Sequence, residues 1–498
     1  MKNLFFIIVF LLGLNYLKAQ DLDLHGKDTI LFIGNSKIGS EGGLHNHFQW
    51  SLKHAAKPLD FQVFWYPMYN RSTLGEMITP EVEKRAISGV DKYLIVQSGS
   101  EDEMTRMAKM VTKTSEMLIF GAWPDNPFLP DQSFETFAQE IKEKCNTWMT
   151  FQQRERIEVI PCGYIYYRLL QEPVNYPGLR PDYLFVPGSS VQNDLGTIVN
   201  VAATYAAMTG LSPVGLPVWD DFPPRLIRLL QTRVWELYRE WKSGHLLFKD
   251  NVPNVNTPSR IPIAKKNHWT SLIKSGDRIL YIGNSFIGTE GGLENHFPRV
   301  LKMIEPELDI QTKSMIFWGQ GLSKMWTEEV RQEISTGAYD LVIVTSGPVQ
   351  LLMQFKELIS NAGSQMAVHM TWGRNPTINK EHMTGFEKET NSIVQEMKKF
   401  ERENNIPVIP CGLIFYDLIA DPPSGFSLRV DWPFMVENIH QNHLGTMANV
   451  AAHYAILVGR SPIGLPMWDP YPKKLVKKLQ KRVWQLVQEW KHEKLSVQ

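Results

Sequence analysis

A near-copy of one segment constrains this chain more than any other feature. Residues 32–48 read FIGNSKIGSEGGLHNHF and residues 281–297 read YIGNSFIGTEGGLENHF, with 13 of 17 positions identical. The correspondence extends far beyond the segment. Ser36 and Ser285 are 249 residues apart, and so are Cys162 and Cys411, Gln192 and Gln441, Trp219 and Trp468, and Trp235 and Trp484. A single-residue slip pairs Leu74 with Leu322 at a shift of 248. A constant long shift describes a tandem pair of whole domains rather than a solenoid of short repeats. The expected organisation is a signal peptide over 1–19, a first domain over 27–242, a linker over 243–275 rich in Pro, Asn, Ser and Lys, and a second domain over 276–491.

Each copy alternates apolar runs with helical spacing. The second carries RILYIGNS, DLVIVTSG, QMAVHMTW and IPVIPCG; the first carries TILFIGNS, YLIVQSG, MLIFGAW and IEVIPCG. Continuous apolar runs suit strands covered on both faces of a parallel sheet. The closing helix of each copy sets one apolar stripe, Leu475, Leu479, Val483, Leu486 and Trp490 in the second and Leu226, Leu230, Val234, Leu237 and Trp241 in the first. The pattern predicts two α/β domains, and ligands in such sheets bind beyond the C-terminal ends of the strands.

The bulk composition excludes several classes. Lys+Arg and Asp+Glu both number 52, which argues against general nucleic-acid binding. The N-terminus MKNLFFIIVFLLGLNYLKAQ has a lysine, an apolar run over 4–14 and a cleavage-compatible Ala19. It predicts export to the periplasm or medium with no membrane span after cleavage, the alternative being an uncleaved anchor. Cys162 and Cys411 are expected to be buried and reduced, Cys145 is unassigned, and no His/Cys spacing announces a zinc site, so no metal and no cofactor are expected.

The chemistry-bearing residues lie at the predicted strand ends. Ser285 follows the first strand of the second copy and precedes a helix, a turn that exposes a hydroxyl close to backbone N–H groups. A Ser helix cap is the bland alternative. In ENIHQNHLG, Glu437 stands three residues before His440, a spacing at which a carboxylate can orient an imidazole. His443 is a rival base, and His369 fits a satisfied strand histidine.

Gly-Asn-Ser after the first strand, a Gly-containing loop after the second and acid-x-x-His near the end, in that order, resemble the SGNH/GDSL hydrolases. The chain is similar more narrowly to their bacterial GNSF branch, where Met370-Thr371-Trp372 and the His440-Gln441-Asn442-His443-Leu444-Gly445 stretch are familiar surroundings. The resemblance implies two tandem flavodoxin-like, three-layer α/β/α domains with mainly parallel sheets. It also implies a secreted serine ester hydrolase, a carbohydrate or small-ester O-deacylase of acetylesterase type. Ser285 would be the nucleophile, His440 the base and Glu437 the acid, where the family usually has Asp. The Ser285 and Gly321 N–H groups would form the oxyanion hole. The family's further Asn donor has no match in VTSGPVQLL, and Asn375 has a first-copy counterpart, Asn126. The implied partner is a small-molecule or acylated-glycan substrate, for which Trp318, Trp326 and Trp372 offer a platform if they are not core.

The copies differ where the chemistry would lie. His440 corresponds to Val191, Glu437 to Gly188 and Gly321 to Thr73, so Ser36 marks a degenerate first-copy site. Asn295 and His296, shared with the first copy, are expected to be structural. The rival expectation is a non-catalytic glycan- or protein-binding pseudo-hydrolase.

Overall fold

The structure, a computed structural model, describes residues 27–68, 71–248, 268–373, 383–426, 429, 431–435 and 439–492. The expected signal peptide, most of the expected linker, Asn375 and Glu437 lie outside the described residues. The chain forms two compact units. The first comprises the chain up to Tyr176 together with Leu195–Val218 and Pro224–Pro253; the second comprises Pro177–Asp194, Trp219–Pro223 and the chain from Asn254 on. Two short stretches that belong to the first copy by sequence therefore pack within the second unit.

The first unit holds strands β1 (Thr29–Gly34), β2 (Gln62–Pro67), β3 (Tyr93–Gln97), β4 (Glu116–Phe120) and β5 (Glu158–Ile160) in the order β2-β1-β3-β4-β5. The second holds β6 (Arg278–Gly283), β7 (Gln311–Ile316), β8 (Leu341–Thr345), β9 (Gln365–His369) and β10 (Val408–Ile409), in the corresponding order β7-β6-β8-β9-β10. Every pairing is parallel, and helices connect the strands. This is a flavodoxin-like α/β arrangement in each unit.

Burial explains why four strands per copy are legible as apolar runs. All of β3 and β8 is buried, as is all of β6 except Arg278. The fifth strand of each sheet was not anticipated. The segment QTKSMI forms the edge strand β7, every residue of which is exposed or only partly buried, so no apolar run marks it. The closing helix Lys473–Lys491 buries the expected stripe, Leu475, Leu479, Val483, Leu486 and Trp490, and helix Pro224–Ser243 buries its counterpart. Cys145, Cys162 and Cys411 are buried free thiols.

One close approach fixes the region beneath the site. The Gly412 N–H donates to the Met370 carbonyl at 3.0 Å, pinning helix Cys411–Ala420 to the end of β9. A Cβ at Gly412 would lie 2.1 Å from the Thr371 carbonyl oxygen, a backbone atom that cannot swing away. Gly412→Ala is expected to cost about 2–3 kcal/mol in urea unfolding. Gly385→Ala is the control: its added methyl meets nothing within 4 Å, and it should be neutral or stabilising by up to about 1 kcal/mol.

Candidate functional site

Ser285 is the first residue of a short helix, Ser285–Gly288, immediately after β6. Asn284 caps it, its side chain accepting from the Phe286 N–H at 3.1 Å. The Asn284 Nδ2 also donates to the Gln320 carbonyl at 3.1 Å, and the Phe317 N–H donates to the Gly283 carbonyl at 2.8 Å. One asparagine thus shapes the serine turn and ties it to the loop before Gly321. Gly321 itself is exposed and precedes a single 3-10 turn, Leu322–Lys324.

His440 reaches the serine through a folded loop. Phe434 and Gln441 form an antiparallel bridge, the Met435 N–H donates to the His440 carbonyl at 2.9 Å, and the Asn442 N–H donates to the Pro433 carbonyl at 3.0 Å. Two side chains fasten this loop to the sheet end. The Trp372 indole N–H donates to the Ile439 carbonyl at 3.0 Å, and the Gln441 amide donates to the Phe286 carbonyl at 3.2 Å. The outcome is a 2.7 Å contact between His440 Nε2 and Ser285 Oγ. Burial pushes the His440 imidazole down to about 4, so it is neutral at pH 7 and one of its ring nitrogens carries a lone pair.

The rival histidine has a different surrounding. His443 is fully buried, with Nε2 2.7 Å from Glu290 Oε2 and Nδ1 2.9 Å from Asp469 Oδ2. Burial alone would lower its pKa; the Glu290 and Asp469 carboxylates outweigh burial and hold it well above the ordinary value. Asp469 is in turn held below the usual carboxylate range by His443 despite its own burial. Asn193 Nδ2 donates to Asp469 at 3.2 Å, and Arg180 lies 3.7 Å away, both from the 177–194 stretch of this unit. Both ring nitrogens face buried carboxylates, and the Trp468 indole nitrogen lies 2.9 Å from Nδ1, so His443 is committed to this cluster rather than to the serine. His296 is also buried, its Nε2 2.5 Å from the Glu290 carbonyl, and Asn295 donates to the Gly291 carbonyl at 2.7 Å. Both residues hold the turn after the serine.

The other expected residues are placed as follows. Ser36 occupies the equivalent turn of the first unit, capped by Asn35. It is followed by Lys37, whose amine reaches the Trp123 carbonyl where the second unit has the apolar Phe286. Among the tryptophans, Trp372 is buried and stacks on Phe415 at 3.9 Å, Trp326 packs edge-on against Phe355 at 4.7 Å, and only Trp318 is largely exposed. Beside the Ser285–His440 pair opens a cavity of about 580 Å³ lined by Phe286, Trp372, Ile439, Lys388, Glu389 and Ser392 among others. Sequence reasoning missed this wall, since Lys388 and Ser392 sit in an ordinary charged helical pattern.

No family model matches the chain, and no curated protein matches it. Among solved structures it is similar to an acetylxylan esterase, Axe2, from Geobacillus stearothermophilus, with 14% identity, TM-score 0.30, and coverage of 37% of this chain and 96% of that one. It is also similar to a DUF4886 family protein from Bacteroides uniformis ATCC 8492, with 12% identity, TM-score 0.33, and coverage of 42% and 94%.

Two outcomes follow from the buried histidines. His443→Gln leaves Glu290 and Asp469 facing each other without their cation, and should cost about 3–5 kcal/mol in urea unfolding at pH 7. Separately, His296, His440 and His453 are held at about 3, about 4 and about 4 by burial. Their folded values lie below the unfolded one, so the unfolded chain binds more protons below about pH 6.5. Stability should therefore fall between pH 6.5 and 4, by up to about 1.4 kcal/mol per pH unit for each of these histidines. His443, whose folded value lies above the unfolded one, works in the opposite sense: its contribution is complete well below pH 6.5 and is lost as pH rises above that value. Urea midpoints measured across this range check the sign.

Proposed function

We propose that the second unit hydrolyses carboxylic esters through Ser285 as nucleophile and His440 as general base, with Glu437 orienting the imidazole. The observation that carries the reading is the 2.7 Å approach of His440 Nε2 to Ser285 Oγ at the C-terminal end of a parallel sheet. A neutral imidazole at hydrogen-bond distance from a serine hydroxyl is the arrangement that activates a weak nucleophile.

In this reading Ser285 Oγ attacks the ester carbonyl carbon while its proton passes to His440 Nε2. The carbonyl oxygen becomes an oxyanion facing the Ser285 and Gly321 N–H groups. Collapse breaks the bond to the alcohol oxygen, which takes the proton from His440 and leaves an acyl-Ser285. Water, deprotonated by His440, then attacks the acyl carbon; the bond to Ser285 Oγ breaks, the serine takes the proton from His440, and the carboxylic acid is released. Loss of one oxyanion donor typically costs 10²–10³-fold in turnover. The cavity walled by Phe286, Trp372 and Ile439 suits a small acyl group, and Lys388, Glu389 and Ser392 supply polar groups for a hydroxylated alcohol portion. O-acetylated carbohydrate is the substrate class that combines the two. An export signal over residues 1–19 would put the reaction outside the cytoplasm.

The test is turnover of acetylated oligosaccharides and a simple aryl acetate by the purified chain. Ser285→Ala and His440→Ala should each lower kcat by at least about 10⁴-fold, and Ser36→Ala should leave it unchanged. Because the base must be neutral, kcat/KM should be flat around neutrality and fall only as pH drops toward about 4, the value at which burial holds His440. Hydrolysis that survives Ser285→Ala would remove the reading.

A further inference from the structure

Beneath the site lies a second cluster that the proposed chemistry does not use. His369 at the end of β9, Cys411 at the start of helix Cys411–Ala420 and His453 on helix His443–His453 are fully buried, with one ligand-type atom of each lying within 4.8 Å of the others. The histidine rings are 5.3 Å apart. Neither ring nitrogen of His369 has a hydrogen-bond partner, nor has His453 Nε2. Orphaned nitrogens in an apolar interior cost free energy that a bare core would avoid.

We propose that His369, Cys411 and His453 bind a soft metal cation, with monovalent copper the ion that fits best. The tautomers suit ligation. His453 Nδ1 lies 2.8 Å from the Asn449 carbonyl and must donate to it, which leaves the Nε2 lone pair directed into the cluster. Cys411 is the first residue of its helix; burial holds its thiol well above the ordinary range, so an ion that binds there displaces the thiol proton. Thiolate and imidazole together select copper(I) and zinc. Charge decides between them: one thiolate, two neutral imidazoles and Cu⁺ sum to zero, the only balance that a fully buried site tolerates without a further partner. Drawing the three donors onto an ion with bonds of about 2.0–2.3 Å needs movements of roughly 1 Å.

An independent observation comes from the repeat. At the equivalent positions the first copy has Phe120 for His369 and Thr204 for His453, while the thiol persists as Cys162. Tyr281, whose buried hydroxyl also lacks a partner, is Phe32 there. The first copy thus fills this place with two phenyl rings and a threonine, and the two imidazoles and the phenol belong to the second copy alone. Such an ion would join β9 to the helix following Asn442, next to the loop that carries His440.

The purified full chain is equilibrated anaerobically with Cu(I), or with Zn(II), desalted and assayed for metal by mass spectrometry, with a thermal melt alongside. The expected result is about one copper per chain, retained against a colorimetric Cu(I) chelator, with a raised Tm. Cys411→Ala, His369→Phe and His453→Thr should each lower retention at least tenfold, and Cys162→Ala should not. Circular dichroism identifies any variant that fails to fold, and the Tm shift of the native chain reports independently of the variants. Zinc retained with the same variant pattern would support the site and overturn the choice of copper. No retention of either ion, or retention indifferent to all three substitutions, would overturn the proposal.

Discussion

The ion triad of Glu290, His443 and Asp469 is the constraint on which the candidate site depends. The two carboxylates are removed from water against one imidazolium, with the Arg180 guanidinium 3.7 Å from Asp469 as a further cation. Their positions in the chain give the triad its structural consequence. Glu290 lies five residues after Ser285, and His443 lies three after His440. Clamping Glu290 to His443 therefore clamps the serine turn to the histidine loop, and Asp469 anchors both to the segment before the closing helix. The 2.7 Å Ser285–His440 contact sits on this framework. Asn284 and Trp372 then aim the two groups, but the triad fixes how closely their backbones approach.

This view explains why two histidines three residues apart have opposite electrostatics. His440 has an apolar flank, with the Phe286 ring centroid 6.0 Å from its own, and burial keeps it neutral. His443 has two carboxylates and is charged. A neutral imidazole next to a hydroxyl can accept a proton; an imidazolium between two carboxylates can only hold structure. In the first copy Asp194 stands at the position of His443, so the cation is missing from that sequence as well as the His440 equivalent. The divergence between the copies thus covers the clamp, the proposed base and the buried cluster at His369, while the sheets keep one topology.

Much of this architecture is legible in the sequence, for physical reasons. Strands buried on both faces appear as continuous apolar runs, and the turn chemistry of Gly-Asn-Ser follows from a strand that must hand over to a capped helix. The edge strand over 311–316 was illegible because one side of a sheet edge faces water and its residues need not be apolar. The spacing to Glu437 favours His440 in the sequence, whereas the setting of His443 depends on Glu290 and Asp469, partners far away in the chain that no local spacing reveals. The same holds for His369, Cys411 and His453: each is 42 residues from the next, and only the fold brings them together. The packing of 177–194 within the second unit is a further tertiary fact that the repeat alone conceals.

The central claim is that a single serine in this duplicated chain is activated. A fluorophosphonate reacts covalently with such a serine and not with an ordinary hydroxyl, and tandem mass spectrometry of the digested adduct locates it. The account expects one adduct per chain, on Ser285, abolished by His440→Ala. Equal modification of Ser36 and Ser285, or none on either from a folded chain, would contradict it.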